Sequence, residues 1–195
     1  MPDVLSRRGL YGGYNLNGSK IGADPDIPAE LGLKMGGASV RWYLNNAPHR
    51  RPHLDIGSGI EFSRRFMPGA VSVDNDLDVD RFRFADDTFN TVTSFEVLEH
   101  LYNPLFHLME VRRVMKGGGL LYLTTPNDWS LIHRAEHLLG RKYAPHFHQF
   151  IEFDLRQIMA RAGFEIVSLE KSKRGGSGTI SRLSKNLFLL MARKP

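Results

Sequence analysis

From His53 onward, short apolar runs alternate with stretches in which apolar residues recur at helical spacing. Such alternation predicts a mainly parallel sheet covered by helices. The runs place strands near 53–56, 70–74, 91–95 and 119–125. Asn103 and Pro104 are a cap and a first helical position, and Leu105, Leu108, Val111, Val114 and Met115 form an inward stripe that Gly117-Gly118-Gly119 should end. A second helix is expected from a cap at Asp154, carrying Leu155, Ile158, Met159 and Ala162 and closing at Gly163. Phe164 to Leu169 and Leu187 to Ala192 then read as two strands. Between them lies Gly175-Gly176-Ser177-Gly178 and no helix-length apolar pattern, so the pair is expected as an antiparallel hairpin.

Upstream the pattern is weaker. Residues 1–27 are rich in Gly and Asn and show no sustained apolar period, which suits an arm or lid. A helical pattern begins at Pro28, offers Leu31, Met35, Val40, Trp42, Tyr43 and Leu44 for burial, and stops before Pro48. The expected organisation is an N-terminal arm and helix over 1–45, a candidate lid, followed by one domain over 46–195.

Composition narrows the function classes. A length of 195 residues fits a single domain, and the absence of cysteine removes thiolate catalysis, thiolate zinc sites and disulfide frameworks. No run is long enough to span a bilayer and no signal-peptide pattern opens the chain, so the expectation is a cytoplasmic protein without a membrane span. The net charge of +5 is uneven: seven basic residues and no acidic one follow Glu170. Such a tail can meet phosphate, but a solvated terminal strand explains it as well.

The most informative chemistry lies in Leu54-Asp55-Ile56-Gly57-Ser58-Gly59, where a strand runs into two glycines and then a helix. Glycines at 57 and 59 let a ligand approach the backbone, and the helix start offers free N–H groups. At the end of the next apolar run, Asp74 is placed to accept hydrogen bonds from both hydroxyls of a ribose. The competing dinucleotide fingerprint needs a third glycine where this chain has Phe62, which argues against a nicotinamide enzyme.

Four blocks in order resemble the class I S-adenosylmethionine-dependent methyltransferases, in the branch that includes ubiquinone-pathway O-methyltransferases. They are Leu54 to Gly59; Asp86-Asp87-Thr88-Phe89-Asn90-Thr91-Val92; Phe95-Glu96-Val97-Leu98-Glu99-His100-Leu101; and Lys116 to Asn127. The resemblance implies a Rossmann-like three-layer α/β/α sandwich, a mainly parallel sheet with a C-terminal antiparallel hairpin, and S-adenosylmethionine as cofactor. Asp55, Gly57 and Gly59 would shape the pocket for the methionine part, Asp74 would hold the ribose, Asp78 would meet the adenine amino group, and Phe95 and Glu96 would line the sulfonium. Three positions depart from the pattern. Glu61 replaces a usual glycine and Asn90 a usual aspartate. The stretch between Asp74 and Asp86 is too short for the usual helix and strand, so the fold should be abbreviated after its second strand.

Methyl transfer from a sulfonium needs alignment more than acid–base machinery, although an oxygen acceptor benefits from a base. His100 is the first candidate base, with His133, His137, His146 and His148 behind it. Some metal-dependent relatives share the Glu-x-x-Glu-His block, which makes Glu96, Glu99 and His100 an alternative divalent-ion set joined by a later histidine such as His146 or His148. The aromatic stretch from Pro126 to Phe153 is a candidate cover for the acceptor. The expected function is methyl transfer to a small-molecule acceptor, at oxygen. An RNA 2'-O-methyltransferase and a catalytically degenerate binding module are the alternatives. No nucleic-acid-binding module accompanies the domain, and oligomeric state is left open.

Overall fold

The computed structural model describes residues 39, 42, 43, 46, 51–57, 67, 69–73, 75–127, 146–172 and 187–195. In chain order the described elements are β1 (His53–Ile56), β2 (Val71–Ser72), β3 (Phe89–Phe95), a 3-10 turn (Leu98–His100), α1 (Pro104–Val114), β4 (Met115–Pro126), α2 (Glu152–Arg161), β5 (Glu165–Ser172) and β6 (Leu187–Arg193). They build one six-stranded sheet in the order β2-β1-β3-β4-β6-β5. Strands β2, β1, β3 and β4 pair in parallel, and β6 runs antiparallel to both β4 and β5. The parallel sheet and the C-terminal hairpin are therefore as the sequence pattern predicts.

Both faces of the sheet are covered, which explains why its central strands read as unbroken apolar runs. Leu121 and Leu123 of β4 and Phe188 and Leu190 of β6 join Leu108, Val111 and Val114 of α1 and Leu155 and Met159 of α2 in one core. The alternate residues Tyr122, Leu187 and Leu189 face the other side, where they pack with Trp42, Tyr43, Met67 and Phe95. Ser39, Trp42, Tyr43 and Asn46 have helical backbone at helical spacing. Tyr43 meets Tyr122 edge-on with ring centroids 5.0 Å apart.

Several element boundaries differ from expectation. Strand β2 holds only Val71 and Ser72, short of the 70–74 run. The first helix is capped as predicted, with Asn103 Oδ1 accepting from the Phe106 N–H at 3.2 Å, but it ends at Val114 rather than at the glycines. Those glycines lie inside β4: Phe89 pairs with Met115 and Thr91 with Leu120, so the intervening residues of β4 bulge out, with Gly118 at φ 74°. The second helix begins at Glu152 with Ile151 in the cap position, so Asp154 sits in the first turn. Its close is as expected: Gly163, at φ 83°, donates to Ala160 O and Phe164 to Met159 O, each at 3.0 Å, the hydrogen-bond pair of a Schellman ending.

The abbreviation after the second strand is real. Residues 75–88 form turns and bends with no helix or strand. Their backbone is satisfied by side chains of α1 instead. Arg113 donates to Phe82 O and Phe84 O, both at 2.9 Å, and Glu110 accepts from the Phe82 N–H at 3.1 Å. Burial opposes the charge on Glu110, but its bonds to Arg113, the Phe82 N–H and Arg81 outweigh that and hold its carboxyl below the usual range. Leu77 and Phe82 are thereby pinned into the core.

His107 is the odd member of that core. It is fully buried, edge-on to Phe82 at 5.9 Å, and neither ring nitrogen has a hydrogen-bond partner among the described residues. Burial pushes its pKa down from 6.5 to about 4. The unfolded chain gains a proton below pH 6.5 that the folded chain refuses until about pH 4, so stability is lost as pH is lowered through that window, by about 1.4 kcal/mol per unit. His107→Met should remove this component. Urea unfolding from pH 7 to pH 4 is expected to show the wild type losing on the order of 3 kcal/mol more than the variant; parallel losses would refute the buried neutral imidazole.

Candidate active site

Parallel pairing brings the carboxyl ends of β1, β3 and β4 to one edge of the sheet. Asp55 lies opposite Thr93, Ile56 opposite Ser94, and Phe95 opposite Thr124. In an open α/β sheet this is the edge at which ligands bind. Two adjacent strands leave it through left-handed backbone: Gly57 follows β1 at φ 87° and Glu96 follows β3 at φ 56°. Glycine adopts this conformation without strain, whereas for glutamate it costs about 1–2 kcal/mol. Glu96 is held there by its N–H, which donates to Thr124 O at 2.9 Å, and its side chain is buried.

Of the residues expected from the sequence, Asp55, Gly57, Phe95 and Glu96 converge on this edge. Asp55 is buried, and its Oδ1 accepts from the Thr93 hydroxyl at 2.7 Å. Asp78 is also buried, but its Oδ1 accepts from the Asn103 N–H at 2.7 Å, tying the 75–80 turn to the start of α1. Gly59, Asp74, Glu61 and Phe62 lie outside the described residues, as do His133, His137 and most of the 126–153 stretch.

The turn after β3 brings a second group together. Glu99 is fully buried, and the Thr125 hydroxyl donates to its Oε2 at 3.0 Å. His100 Nε2 stands 3.9 Å from Glu99 Oε1, and the His100 and His146 rings meet edge-on at 4.9 Å. One ligand atom from each of Glu99, His100 and His146 lies within 4.8 Å of the others, a donor set suited to a divalent ion. Glu96 stays outside that group, and of the two later histidines that the resemblance left open, His146 and His148, it is His146 that joins it. The segment carrying His146 is fastened by the backbone: Phe147 and His148 N–H groups donate to Glu99 O at 2.8 and 3.2 Å.

Sequence reasoning missed Thr93 and Thr125. The signal was present in Thr91-Val92-Thr93-Ser94 and Thr124-Thr125, because a hydroxyl at an inward position of a buried strand must find an acceptor.

A family model described as a methyltransferase domain matches residues 29–169. An S-adenosylmethionine-dependent methyltransferase from Thermotoga maritima has the same fold at 16% identity, with a TM-score of 0.62, over 83% of this chain and 90% of that one. A chain from the Haloferax volcanii complex between a methyltransferase and its activator matches at 14% identity and a TM-score of 0.57, over 82% and 95% of the two chains. A [4+2]-cyclase matches at 16% identity and a TM-score of 0.52, over 82% and 71%. Comparison with curated protein sequences finds no match.

The left-handed turn at Glu96 has a stability signature. Glu96→Gly and Glu96→Val lose the same carboxylate, but only valine is strained at φ 56°. Glu96→Gly should stay within about 1 kcal/mol of the wild type in urea unfolding, and Glu96→Val should fall about 2 kcal/mol below the glycine variant. Equal stabilities of the two variants would refute the strained turn.

Proposed function

The chain belongs to the class I S-adenosylmethionine-dependent methyltransferase family, and on that premise we propose that it methylates a small-molecule acceptor at oxygen. S-adenosylmethionine is the cofactor. The residues at the carboxyl edge suit it: two buried carboxylates, Asp55 and Glu96, stand where a sulfonium and an α-ammonium need negative charge, beside backbone opened at Gly57. This juxtaposition of Asp55, Gly57 and Glu96 at the ends of two paired strands is the observation that carries the reading.

In this assignment Asp55, Gly57 and Gly59 hold the methionine portion, Asp74 the ribose and Asp78 the adenine side, while Phe95 and Glu96 line the reacting centre. S-adenosylmethionine bound there would supply the methyl group to the acceptor oxygen and would be released as S-adenosylhomocysteine. His100 receives the acceptor's proton. Its side chain is only 13% exposed and sits on the Leu98–His100 turn, four residues after Glu96 at the end of β3. Residues 1–45 and the 126–153 stretch, most of which lie outside the described residues, are the candidate cover for the acceptor.

Calorimetric titration of S-adenosylhomocysteine tests the cofactor site. Micromolar binding is expected, weakened about tenfold or more by Asp74→Ala, with no response to NADH. Absence of binding at millimolar ligand would refute the assignment, and binding without turnover on any acceptor would favour a non-catalytic module, since one fold hosts several chemistries.

A metal-assisted version of the reaction is favoured by the grouping of Glu99, His100 and His146. These three residues would hold a divalent ion, with Thr125 orienting the carboxylate, and the ion would supply Lewis-acid activation of the acceptor hydroxyl. Manganese should then raise the melting temperature of the wild type and leave Glu99→Gln unmoved. Identical melting curves with and without the ion, together with chelator-insensitive turnover, would sink this version.

A further inference from the structure

Behind the cofactor loop, four side chains from three segments form one line of hydrogen bonds. Thr93 Oγ1 lies 2.7 Å from Asp55 Oδ1 and 3.1 Å from His53 Nε2, and His53 Nδ1 lies 3.5 Å from the Tyr43 hydroxyl. All four residues are buried. The register of β1 on β3 makes the line possible. Asp55 stands directly opposite Thr93, and His53, two residues earlier on the same face of β1, reaches Thr93 diagonally.

The direction of every bond follows from the donor inventory. Thr93 has one hydroxyl proton and three groups in reach that can accept it, Asp55 at 2.7 Å, His53 Nε2 at 3.1 Å and the Met67 sulfur at 3.6 Å. A carboxyl oxygen at the shorter distance is a better acceptor than an imidazole nitrogen at 3.1 Å or a thioether sulfur, so the proton goes to Asp55. His53 Nε2 must then carry a hydrogen to donate to Thr93. A neutral ring leaves Nδ1 as an acceptor, and the Tyr43 hydroxyl donates to it. Burial, with Tyr122 and Asp55 adding to it, pushes the Tyr43 pKa up to about 12, so that phenol keeps its proton.

We propose that Thr93, His53 and Tyr43 are positioning residues for Asp55, and that they couple the helical face carrying Tyr43 to the cofactor loop. The inference rests on reading the carboxyl edge as the S-adenosylmethionine site. Seating Tyr43 against the sheet orders His53 and Thr93, which fixes the carboxylate rotamer of Asp55 before ligand arrives. By linkage, ligand held by Asp55 stabilises the seating of Tyr43 in turn.

S-adenosylhomocysteine is titrated into the full chain by calorimetry for the wild type, Thr93→Val, Thr93→Ser, Tyr43→Phe and the Thr93→Val/Tyr43→Phe pair, with thermal melts alongside. Thr93→Val should weaken binding about tenfold, Tyr43→Phe about threefold, and the double variant no more than Thr93→Val alone, because the groups act in series. Thr93→Ser keeps the hydroxyl and should bind within about twofold of the wild type. A purely structural role for these groups would shift the melts and leave affinity unchanged, and that result overturns the proposal. So would additive losses in the double variant. Long-range proton–nitrogen NMR correlation of the His53 ring gives a readout that needs no variant: protonation at Nε2 is expected, and protonation at Nδ1 alone overturns the proposal. Failure of the wild type to bind S-adenosylhomocysteine at all would instead overturn the reading of the site on which the coupling depends.

Discussion

The in-register parallel pairing of β1, β3 and β4 is the constraint on which the rest of the molecule depends. Three strands that run the same way must end on the same side, so the loops after Ile56, Phe95 and Pro126 emerge together. Parallel strands also bury both faces, which forces the connecting segments to cover the sheet. The abbreviated region shows how far this can be economised. Where relatives are expected to fit a helix and a strand, residues 75–88 lie as coil, and the guanidinium of Arg113 and carboxylate of Glu110 satisfy backbone groups that a neighbouring strand would otherwise meet. The core side of that coil still contributes Leu77 and Phe82.

At the carboxyl edge the chain accepts local strain and buried charge. Glu96 sits in a left-handed turn that glycine would adopt more cheaply, and Asp55, Glu96 and Glu99 are all removed from solvent. Buried carboxylates are tolerated when hydroxyls and backbone donors orient them, as Thr93 does for Asp55 and Thr125 for Glu99. A fixed array of this kind suits a displacement in which alignment supplies most of the barrier reduction. The fold alone does not select that reaction, since a [4+2]-cyclase shares it. What distinguishes one member from another is which side chains stand at this edge.

The sequence by itself determined the elements and the glycine turn at which β1 leaves the sheet. Alternation of apolar runs with helical stripes located β1, β3, β4, α1, α2 and the β5–β6 hairpin, because the periodicity of burial is a local property of each element. Its errors fell at boundaries, where Gly117 to Gly119 read as a helix stop but bulge within β4, and where Asp154 read as a cap but lies inside α2. Those outcomes turn on pairing with distant partners. Only tertiary structure decided that Glu99 and His100 meet His146, that Arg113 replaces a missing strand, and that Asp55 is linked through Thr93 and His53 to Tyr43. Each of these contacts joins residues far apart in sequence and requires the register of the sheet to be set first, and register is a property of paired strands that no single segment carries.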